Sequence, residues 1–231
     1  MKDRLILGDG LLGTELIKQT GWDYISRKKD GIDFKDIDSY KDHLFGYDEI
    51  INCIAYTNTY DENKEENWNT NYKGVVALVD HLIDKDIKFI HISTDYLYAH
   101  SKQNASEKDV PVHCGNWYGY TKLLGDAYVQ LRLRDYLLIR STHKEEPFPY
   151  EKAWINQVGN FDYVSEIATL QIELIKKGVN GVFNIGTDLK TMYELAKKTN
   201  PNVKPEFELF DDTTPTDLTM NISKMRKELN E

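Results

Sequence analysis

Short runs of apolar residues alternate with longer amphipathic segments through the first 140 residues of the chain. A buried parallel strand is apolar along its whole length, whereas a surface helix has apolar residues every three or four positions. The apolar runs predict five strands, at 4–7, 22–26, 49–54, 88–93 and 136–140. The amphipathic segments predict helices at 11–17, at about 64–85 and at 118–132. This alternation with short connections favours an α/β fold, a doubly wound parallel sheet with helices on both faces.

The pattern after residue 150 is a mixture of short elements. It predicts helices at 164–177, 192–199 and 222–229, and strands at 182–185 and 206–210. We therefore predict two parts, residues 1–150 as the sheet domain and residues 151–231 as a small mixed α/β lobe. Such a lobe is expected to form the second wall of a ligand cleft and to supply the closing elements.

A glycine-rich turn joins the first predicted strand to the first helix. Gly8, Gly10 and Gly13 follow the pattern Gly-x-Gly-x-x-Gly, which is typical of dinucleotide-binding turns in this context. Gly8 permits the turn, Gly10 lets the backbone approach a pyrophosphate, and Gly13 lets the helix pack on the strand. The helix N-terminus, at Leu11 and Leu12, offers unpaired N–H groups to the phosphates. A glycine-rich turn with no ligand is the alternative interpretation.

Basic residues follow the second strand, where an NAD-binding unit usually has an acid. The segment begins with Ser26, Arg27 and Lys28, and guanidinium and ammonium groups attract a 2′-phosphate that a carboxylate would repel. We therefore predict NADP(H) as the preferred cofactor, with NAD(H) left open. Asp33 is expected at the edge of the adenine pocket. A solvated loop is the alternative for Lys28 and for the next residue, Lys29.

Small and hydroxyl-bearing residues lie at the ends of the third and fourth strands. Ala55 and Tyr56 follow the third strand, and Thr94 follows the fourth, where ligands bind in open α/β sheets. The Thr94 hydroxyl suits a substrate oxygen because it donates and accepts hydrogen bonds. Asn71, within the long helix, is interpreted as a structural residue whose side chain satisfies backbone groups.

A tyrosine and a lysine four residues apart supply the candidate acid–base chemistry. Tyr118 and Lys122 fall on one face of the predicted helix. A nearby ammonium group lowers the pKa of a phenol from its usual value near 10, so Tyr118 is a candidate acid–base group. The alternative is an exposed lysine beside a packed tyrosine.

Composition excludes several classes of function. The 231-residue chain has a net charge of −9, which argues against a nucleic-acid-binding surface. Its two cysteines, Cys53 and Cys114, show neither metal-type spacing nor a disulfide framework, so a reduced cytosolic protein without a metal is expected. We expect neither a signal peptide nor a membrane span.

Taken in order, the motifs resemble those of extended short-chain dehydrogenases/reductases, and most closely the dTDP-4-dehydrorhamnose reductase group. Besides the glycine turn, the similar segments are Asn52-Cys53-Ile54-Ala55-Tyr56-Thr57, Ile92-Ser93-Thr94-Asp95-Tyr96, Tyr118-Gly119-Tyr120-Thr121-Lys122, Leu138-Ile139-Arg140-Ser141-Thr142, Val182-Phe183-Asn184-Ile185-Gly186 and the segment 215–224. The resemblance covers almost the whole chain and implies a Rossmann-like fold.

The resemblance also implies roles for individual residues. Tyr118 would donate a proton to a sugar ketone, Thr94 would polarise its carbonyl, and Lys122 would hold the nicotinamide ribose. Asp95, Tyr96 and His143 would contact the substrate, together with Thr94 and Tyr118. The implied reaction is reduction of a nucleotide-linked 4-keto-6-deoxyhexose by a hydride from NADP(H).

The sequence departs from the group in the substrate region. The chain is shorter by some tens of residues between Arg140 and Gln157, where a longer stretch helps to cover the substrate. His143 occupies a position where the group tends to have tryptophan, and Trp154 is a candidate to replace some of the lost aromatic surface. Sugar and nucleotide specificity are therefore not defined by the resemblance.

Three alternatives stay open from the sequence. An epimerase or dehydratase uses the same scaffold, but the Asp-Glu pair common in dehydratases is replaced here by Asp95-Tyr96. A regulatory subunit that binds NADP(H), like the beta subunit of methionine adenosyltransferase, would suit a shortened lobe. A homodimer through the helices at 64–85 and 118–132 is expected by analogy, and a monomer is the alternative.

Overall fold

Six parallel strands form the central sheet of the protein. The computed structural model describes residues 3–59, 63–99, 101–109, 116–208 and 214–230. The strands are β1 (Arg4–Leu7), β2 (Asp23–Ile25), β3 (Glu49–Asn52), β4 (Lys88–Ser93), β5 (Tyr136–Arg140) and β10 (Gly181–Asn184). Their order across the sheet is β10-β5-β4-β3-β1-β2, so the winding direction reverses between β1 and β3. Ligands in such sheets bind outside the carboxyl ends of the strands, at this reversal.

Helices cover both faces of the sheet. They are α1 (Leu11–Thr20), α2 (Arg27–Asp30), α3 (Lys64–Asn67), α4 (Val75–Leu82), α5 (Trp117–Arg132), α6 (Val164–Lys177), α7 (Met192–Lys197) and α8 (Ser223–Leu229). Short 3-10 turns lie at Ile37–Ser39, Lys41–Leu44 and Asp95–Tyr98. The predicted α/β fold with a doubly wound parallel sheet is confirmed.

The sheet builds two hydrophobic cores because successive side chains of a strand point to opposite faces. In β1, Ile6 packs in the core beneath α1, α6 and α8, while Leu5 and Leu7 pack in the core beneath α4 and α5. This is why the strand is apolar along its whole length. The sheet is therefore rigid where its carboxyl ends carry polar side chains.

The predicted helix at 64–85 is continuous in space but not uniform. Between α3 and α4, residues Trp68–Gly74 form a π-helical stretch. Gly74 lies here because a Cβ at this position would come within 2.8 Å of the Phe34 ring. π-Helical turns often mark functional sites, and this one directs Asn71 toward the end of β3.

Residues 151–231 contribute to the central sheet as well as to a separate lobe. β10 pairs with β5, with Val182 opposite Leu138, so the sixth strand comes from the predicted C-terminal part. The lobe has three small sheets. They are built from β6 (His143–Lys144), β7 (Lys152–Trp154), β8 (Val158–Gly159), β9 (Asp162–Tyr163), β11 (Lys190–Thr191), β12 (Lys204–Glu206) and β13 (Asp217–Leu218). The division at residue 150 stays a prediction.

Several predicted boundaries differ from the observed ones. The strand predicted at 206–210 is observed as β12, two residues earlier, and positions 209 and 210 lie outside the described residues. The predicted loop 99–116 is described at 101–109, where Ala105 forms an isolated bridge with Met220. Cys114 also lies outside the described residues. Within the described ranges, no helix combines the length and hydropathy that crossing a membrane requires.

Candidate functional site

The glycine turn brings the start of α1 to one end of a large cavity. Gly8 has φ +98°, and a Cβ on Gly13 would lie 2.1 Å from the Gly8 carbonyl oxygen, so both positions require glycine. A Cβ on Gly10 would meet no atom within 4 Å. Gly10 is the N-cap of α1 and supplies no side-chain acceptor, so the first N–H groups of the helix face open space beside Leu11 and Leu12. This arrangement fits a bound phosphate group.

The basic segment after β2 is a short helix rather than a loop. Ser26 is its N-cap and accepts a hydrogen bond from the Lys29 N–H at 3.0 Å. The buried Ser26 hydroxyl also donates to the Asp9 carboxylate at 3.0 Å. Ser26 therefore has a structural role that sequence reasoning did not anticipate, and Asp9 was missed as its partner. Arg27 and Lys28 remain exposed on the surface.

Asp33 is held in a turn of its own. Its carboxylate accepts the Lys35 N–H at 3.0 Å, and its own N–H donates to the Ser39 hydroxyl at 3.0 Å. Asp33, Ser26, Arg27 and Lys28 do not line the main cavity. Their proposed contacts with a cofactor stay predictions.

The end of β3 is fixed by the π-helical stretch. The Asn71 amide accepts the Tyr56 N–H at 2.8 Å and donates to the Tyr56 carbonyl at 2.9 Å. The structural interpretation of Asn71 is thus confirmed. Ala55 lines the cavity, whereas Tyr56 does not. The small Ala55 side chain leaves room for a ligand against the backbone.

Tyr118 and Lys122 both line the cavity from α5. The Asn116 side chain caps this helix by accepting the Gly119 N–H at 2.7 Å, which places Tyr118 in the first turn. Lys122 follows one turn later and is buried, so the alternative of an exposed lysine is wrong.

The predicted effect of Lys122 on Tyr118 is not observed. Burial raises the pKa of Tyr118 to about 12, Thr94 opposes this by hydrogen bonding, and Asp95 and Asp126 raise it further. Lys122 is directed elsewhere, since its ammonium donates to the Ile92 carbonyl at 2.6 Å. The phenol of Tyr118 therefore keeps its proton at neutral pH.

A buried histidine next to Lys122 was missed by sequence reasoning. His91 Nε2 lies 3.4 Å from Lys122 Nζ, and His91 Nδ1 lies 3.2 Å from Asn52 Nδ2. The sequence did contain a signal, because Asn52 and His91 are polar residues in otherwise apolar strands. They meet because the β3–β4 register pairs them directly.

Asn52 and Lys122 face the two ring nitrogens of His91. Asn52 Oδ1 accepts the Ile54 N–H at 3.0 Å, so Asn52 Nδ2 is the group that faces His91 Nδ1. Burial lowers the pKa of Lys122 to about 8, with Asp126 and Cys53 opposing, so this amine is still mostly protonated at neutral pH. Burial and the Lys122 charge lower the pKa of His91, so its ring is neutral.

Thr94 and Asp95 form the part of the wall next to Tyr118. The Thr94 hydroxyl accepts the Tyr96 N–H at 3.2 Å and donates to Asp95 Oδ1 at 3.3 Å. Thr142 also donates to Asp95 Oδ1. Burial raises the pKa of Asp95 to about 6, opposed chiefly by the Thr142 hydrogen bond. The ring of Tyr96 packs edge-on against Tyr118, with centroids 5.9 Å apart.

His143 and Lys144 continue the wall after β5. His143 was predicted at the substrate side and lines the cavity, while Lys144 was not anticipated. Burial lowers the pKa of His143 to about 4, and the neighbouring Lys144 charge lowers it further. The imidazole is therefore neutral at physiological pH.

One cavity of about 880 Å³ collects most of the predicted site residues. Those that line it are Gly10, Leu11, Leu12, Ala55, Thr94, Tyr96, Tyr118, Lys122 and His143. Gly8, Gly13 and Asp95 lie behind its wall and shape it. The far end is lined by residues of the C-terminal lobe, including Trp154 and Met192.

Comparison with known proteins identifies relatives of the chain. Residues 3–143 match the family described as RmlD substrate binding domain. The spore coat polysaccharide biosynthesis protein SpsK of Bacillus subtilis is 30% identical over 58% of this chain and 50% of its own length. The dTDP-4-dehydrorhamnose reductase of Mycolicibacterium smegmatis is 27% identical over 74% of this chain and 51% of its length. The chain thus spans about half the length of the curated relatives it matches.

Solved structures show the same fold. The dTDP-4-dehydrorhamnose reductase of Bacillus anthracis, crystallised with NADP, superposes with a TM-score of 0.81 at 20% identity. The match covers 99% of this chain and 93% of that one. Together with the family match over more than half of the chain, this confirms the resemblance noted from the motifs. The chain belongs to the RmlD substrate-binding domain family, within the extended short-chain dehydrogenase/reductase group.

Proposed function

We propose that the protein is an NADP(H)-dependent reductase of a nucleotide-linked 4-keto sugar. Relatives of the chain include dTDP-4-dehydrorhamnose reductases. The first substrate to test is therefore a 4-keto-6-deoxyhexose linked to dTDP or UDP. The observation that carries the proposal is that Thr94, Tyr118 and Lys122 share one cavity with the N-terminus of α1. A carbonyl-polarising hydroxyl, a protonated phenol and an anion-binding helix end are the parts that carbonyl reduction by a dinucleotide requires.

Tyr118 is the proton donor in this proposal. Reduction of a ketone generates an alkoxide, and a phenol that is protonated at neutral pH has the proton that the alkoxide needs. The pKa of Tyr118, raised to about 12 by burial, keeps that proton in place. Thr94, next to Tyr118, would donate a second hydrogen bond to the same oxygen, in place of the one that it makes to Asp95 Oδ1.

The cofactor would lie on the side of the cavity formed by the start of α1 and by Lys122. The N–H groups at Leu11 and Leu12 would hold the pyrophosphate, Gly10 leaves space for it, and Lys122 would bind the nicotinamide ribose. NADP(H), when bound, supplies the hydride. Arg27 and Lys28 favour a 2′-phosphate because both are exposed and neither forms an ion pair within the described residues. Asp9 opposes them, but its carboxylate already accepts the Ser26 hydroxyl.

The C-terminal lobe is proposed as the wall that holds the nucleotide-sugar. Phe148, Tyr150, Trp154, Met192 and Glu206 line the far end of the cavity. Trp154 and Tyr150 offer aromatic surface suited to stacking on a base or sugar ring. Residues 1–150 would bind the cofactor, and residues 151–231 would complete the substrate cleft.

Two measurements test the proposal. NADPH and NADH are titrated directly, and NADPH oxidation is then followed at 340 nm with dTDP- and UDP-4-keto-6-deoxyglucose. We expect NADPH to bind more tightly than NADH and to be oxidised by at least one of the two sugars. Binding of NADPH without oxidation would favour a regulatory subunit or another keto sugar.

The Tyr118→Phe variant tests the role of the phenol. It should lower kcat by about a hundredfold or more while leaving NADPH affinity nearly unchanged, because only the transferred proton is removed. Tyr128→Phe, on the same helix but bonded to Asp80, is the matched control. Retention of most activity in Tyr118→Phe would show that another group donates the proton.

A further inference from the structure

The cavity wall after β5 carries a cation that the protein leaves without a partner. Lys144 lines the cavity together with Thr94 and Tyr118. No hydrogen bond or ion pair reaches its ammonium group from any residue that the structure describes. Lys144 is partly buried, and a lysine that loses part of its hydration is commonly paired, because an unpaired charge is costly to remove from water. A cation left in this way is available to a bound ligand.

Among the described residues, the other charged groups around the cavity make no direct contact with Lys144. Burial lowers the pKa of Lys144, and Asp95 opposes this through space without a contact. Asp95 Oδ1 is occupied by Thr94 and Thr142, and its buried Oδ2 has no partner. At the rim, Lys152 and Glu206 neutralise each other at 2.6 Å.

The second lysine of the cavity has a different position. Lys122 is committed to the Ile92 carbonyl and lies beside His91. It belongs to the cofactor side of the cavity. Lys144 is thus the cation that faces the substrate side.

His143 supplies a hydrogen-bonding group beside Lys144. Its Nδ1 atom is buried and has no partner. Because the ring is neutral at physiological pH, it does not compete with Lys144 for an anion. His143 and Lys144 both line the cavity, so a neutral imidazole and an ammonium border the same space.

We propose that Lys144 and His143 form a subsite for a carboxylate on the sugar ring of the substrate. The inference rests on the proposed reductase function and names the class of sugar, a hexuronate rather than a neutral 6-deoxyhexose. Thr94 and Tyr118 mark the position of the keto oxygen. Thr142, two residues before Lys144, donates to Asp95, the residue after Thr94, so Lys144 belongs to the same part of the cavity wall as Thr94.

The position of the subsite distinguishes the two anions of a nucleotide-sugar. In a 4-keto pyranose, C5 is bonded to the keto carbon and carries C6, whereas the diphosphate is attached to C1 across the ring. A carboxylate at C6 therefore reaches a subsite beside the keto carbon, and a methyl group at C6 would leave Lys144 unpaired. The diphosphate is the competing source of the anion, and the experiment separates the two.

Binding of three stable ligands tests the subsite. UDP-glucuronate, UDP-glucose and UDP are titrated by calorimetry into the full chain with NADPH present. With the reduced cofactor, a 4-hydroxy sugar is not reduced further, so the titration measures binding alone. We expect UDP-glucuronate to bind at least about tenfold more tightly than UDP-glucose, as one charge-assisted hydrogen bond produces.

Variants of Lys144 test whether this residue causes the preference for UDP-glucuronate. In Lys144→Met, the affinities for UDP-glucuronate and UDP-glucose should become about equal, with the affinity for UDP-glucose unchanged. Lys144→Arg should retain the higher affinity for UDP-glucuronate because it keeps the charge. Lys176→Met, at an exposed position on α6, is the matched control. Thermal unfolding of each variant confirms that it is folded.

Three results would overturn the subsite. Equal loss of affinity for all three ligands in Lys144→Met would place the diphosphate at Lys144. A glucuronate preference that survives in Lys144→Met would place the carboxylate elsewhere. Absence of any preference in the wild type, or of any binding, would exclude a uronate site. The separate NADPH titration and the reductase assay with 6-deoxy sugars show whether the proposed function stands in each case.

Discussion

The two ends of the cavity differ in how their polar groups are satisfied. On the cofactor side, Lys122 donates to the Ile92 carbonyl, and Ser26, outside the cavity lining, bonds to Asp9, so these two groups are paired within the protein. At the substrate end, Asp95 Oδ2 and His143 Nδ1 are buried without partners, and Lys144 has none among the described residues. A paired group supports the fold, while an unpaired one carries a desolvation penalty that a ligand can relieve.

The difference indicates which end of the cavity is preorganised before its ligand binds. The glycine turn and α5 have one arrangement that the protein itself enforces, which suits a cofactor that is the same in every turnover. Polar side chains at β6 have no hydrogen-bond partner among the described residues and can bond to a substrate. Such groups are suited to discriminating between sugars. Four predictions test this contrast, in order of expected effect.

Replacing two glycines should separate folding from binding at the cofactor end. Gly13→Ala places a methyl group 2.1 Å from the Gly8 carbonyl and should lower the free energy of unfolding by about 3 kcal/mol. Gly10→Ala meets no atom, so stability should change by about 1 kcal/mol at most while NADPH affinity falls at least about tenfold. Urea unfolding and NADPH titration measure the two effects. Unchanged NADPH affinity in Gly10→Ala would place the pyrophosphate elsewhere.

Removing a cation after β2 should affect one cofactor only. Arg27→Ala should weaken NADPH about tenfold or more and leave NADH nearly unchanged, because only NADPH carries the 2′-phosphate. Lys29→Ala is the control, since the Lys29 ammonium already donates to the Tyr24 carbonyl at 3.0 Å. Equal losses for both cofactors in Arg27→Ala would refute the 2′-phosphate assignment.

Lys122 and Lys144 should respond oppositely to the same substitution. Lys122→Met leaves the buried Ile92 carbonyl unpaired and should lower the free energy of unfolding by about 1 to 2 kcal/mol. Lys144→Met removes a charge without a partner and should leave stability unchanged or raise it by about 1 kcal/mol. Chemical denaturation without ligands measures both. Similar losses in the two variants would mean that Lys144 also supports the fold.

His143 should make stability depend on pH. Its pKa is about 4 in the folded protein because of burial, against about 6.5 when unfolded. Between these values the unfolded state binds more protons, so stability should fall as pH falls below about 6.5. From pH 7 to pH 5 the wild type should lose about 1 kcal/mol more than His143→Gln in urea unfolding.

Two other groups define the controls for the pH experiment. Asp95 acts with the opposite sign, because its raised pKa makes the folded state the stronger proton binder between about 4 and 6. His91 acts with the same sign as His143, since burial lowers its pKa, and it is present in both proteins. His43→Gln, at an exposed position, is the matched substitution. An identical pH dependence in wild type and His143→Gln would show that His143 is not held neutral.

Features that depend on residues close together in the chain could be predicted from the sequence. The apolar runs of β1, β3, β4 and β5 reflect burial on both faces, so their positions follow from composition alone. The glycine turn and the i, i+4 spacing of Tyr118 and Lys122 are local in the same sense. These features were sufficient for the fold class and for nine of the residues that line the cavity.

Features that depend on register and packing appeared only in the tertiary structure. Asn52, His91 and Lys122 are far apart in the chain, and they meet because β3 pairs with β4 beneath α5. The direction of the Lys122 ammonium, and the burial that raises the pKa of Tyr118, are results of packing between distant segments.

The sequence by itself determined the doubly wound sheet, the dinucleotide-type turn and the tyrosine–lysine pair, because each is set by periodicity or spacing within one segment. Only the tertiary structure decided that β10 completes the sheet, that the Ser26 hydroxyl bonds to Asp9, and that Lys144 faces the cavity without a hydrogen-bond partner among the described residues. These depend on contacts between distant segments, whose geometry a local pattern does not contain.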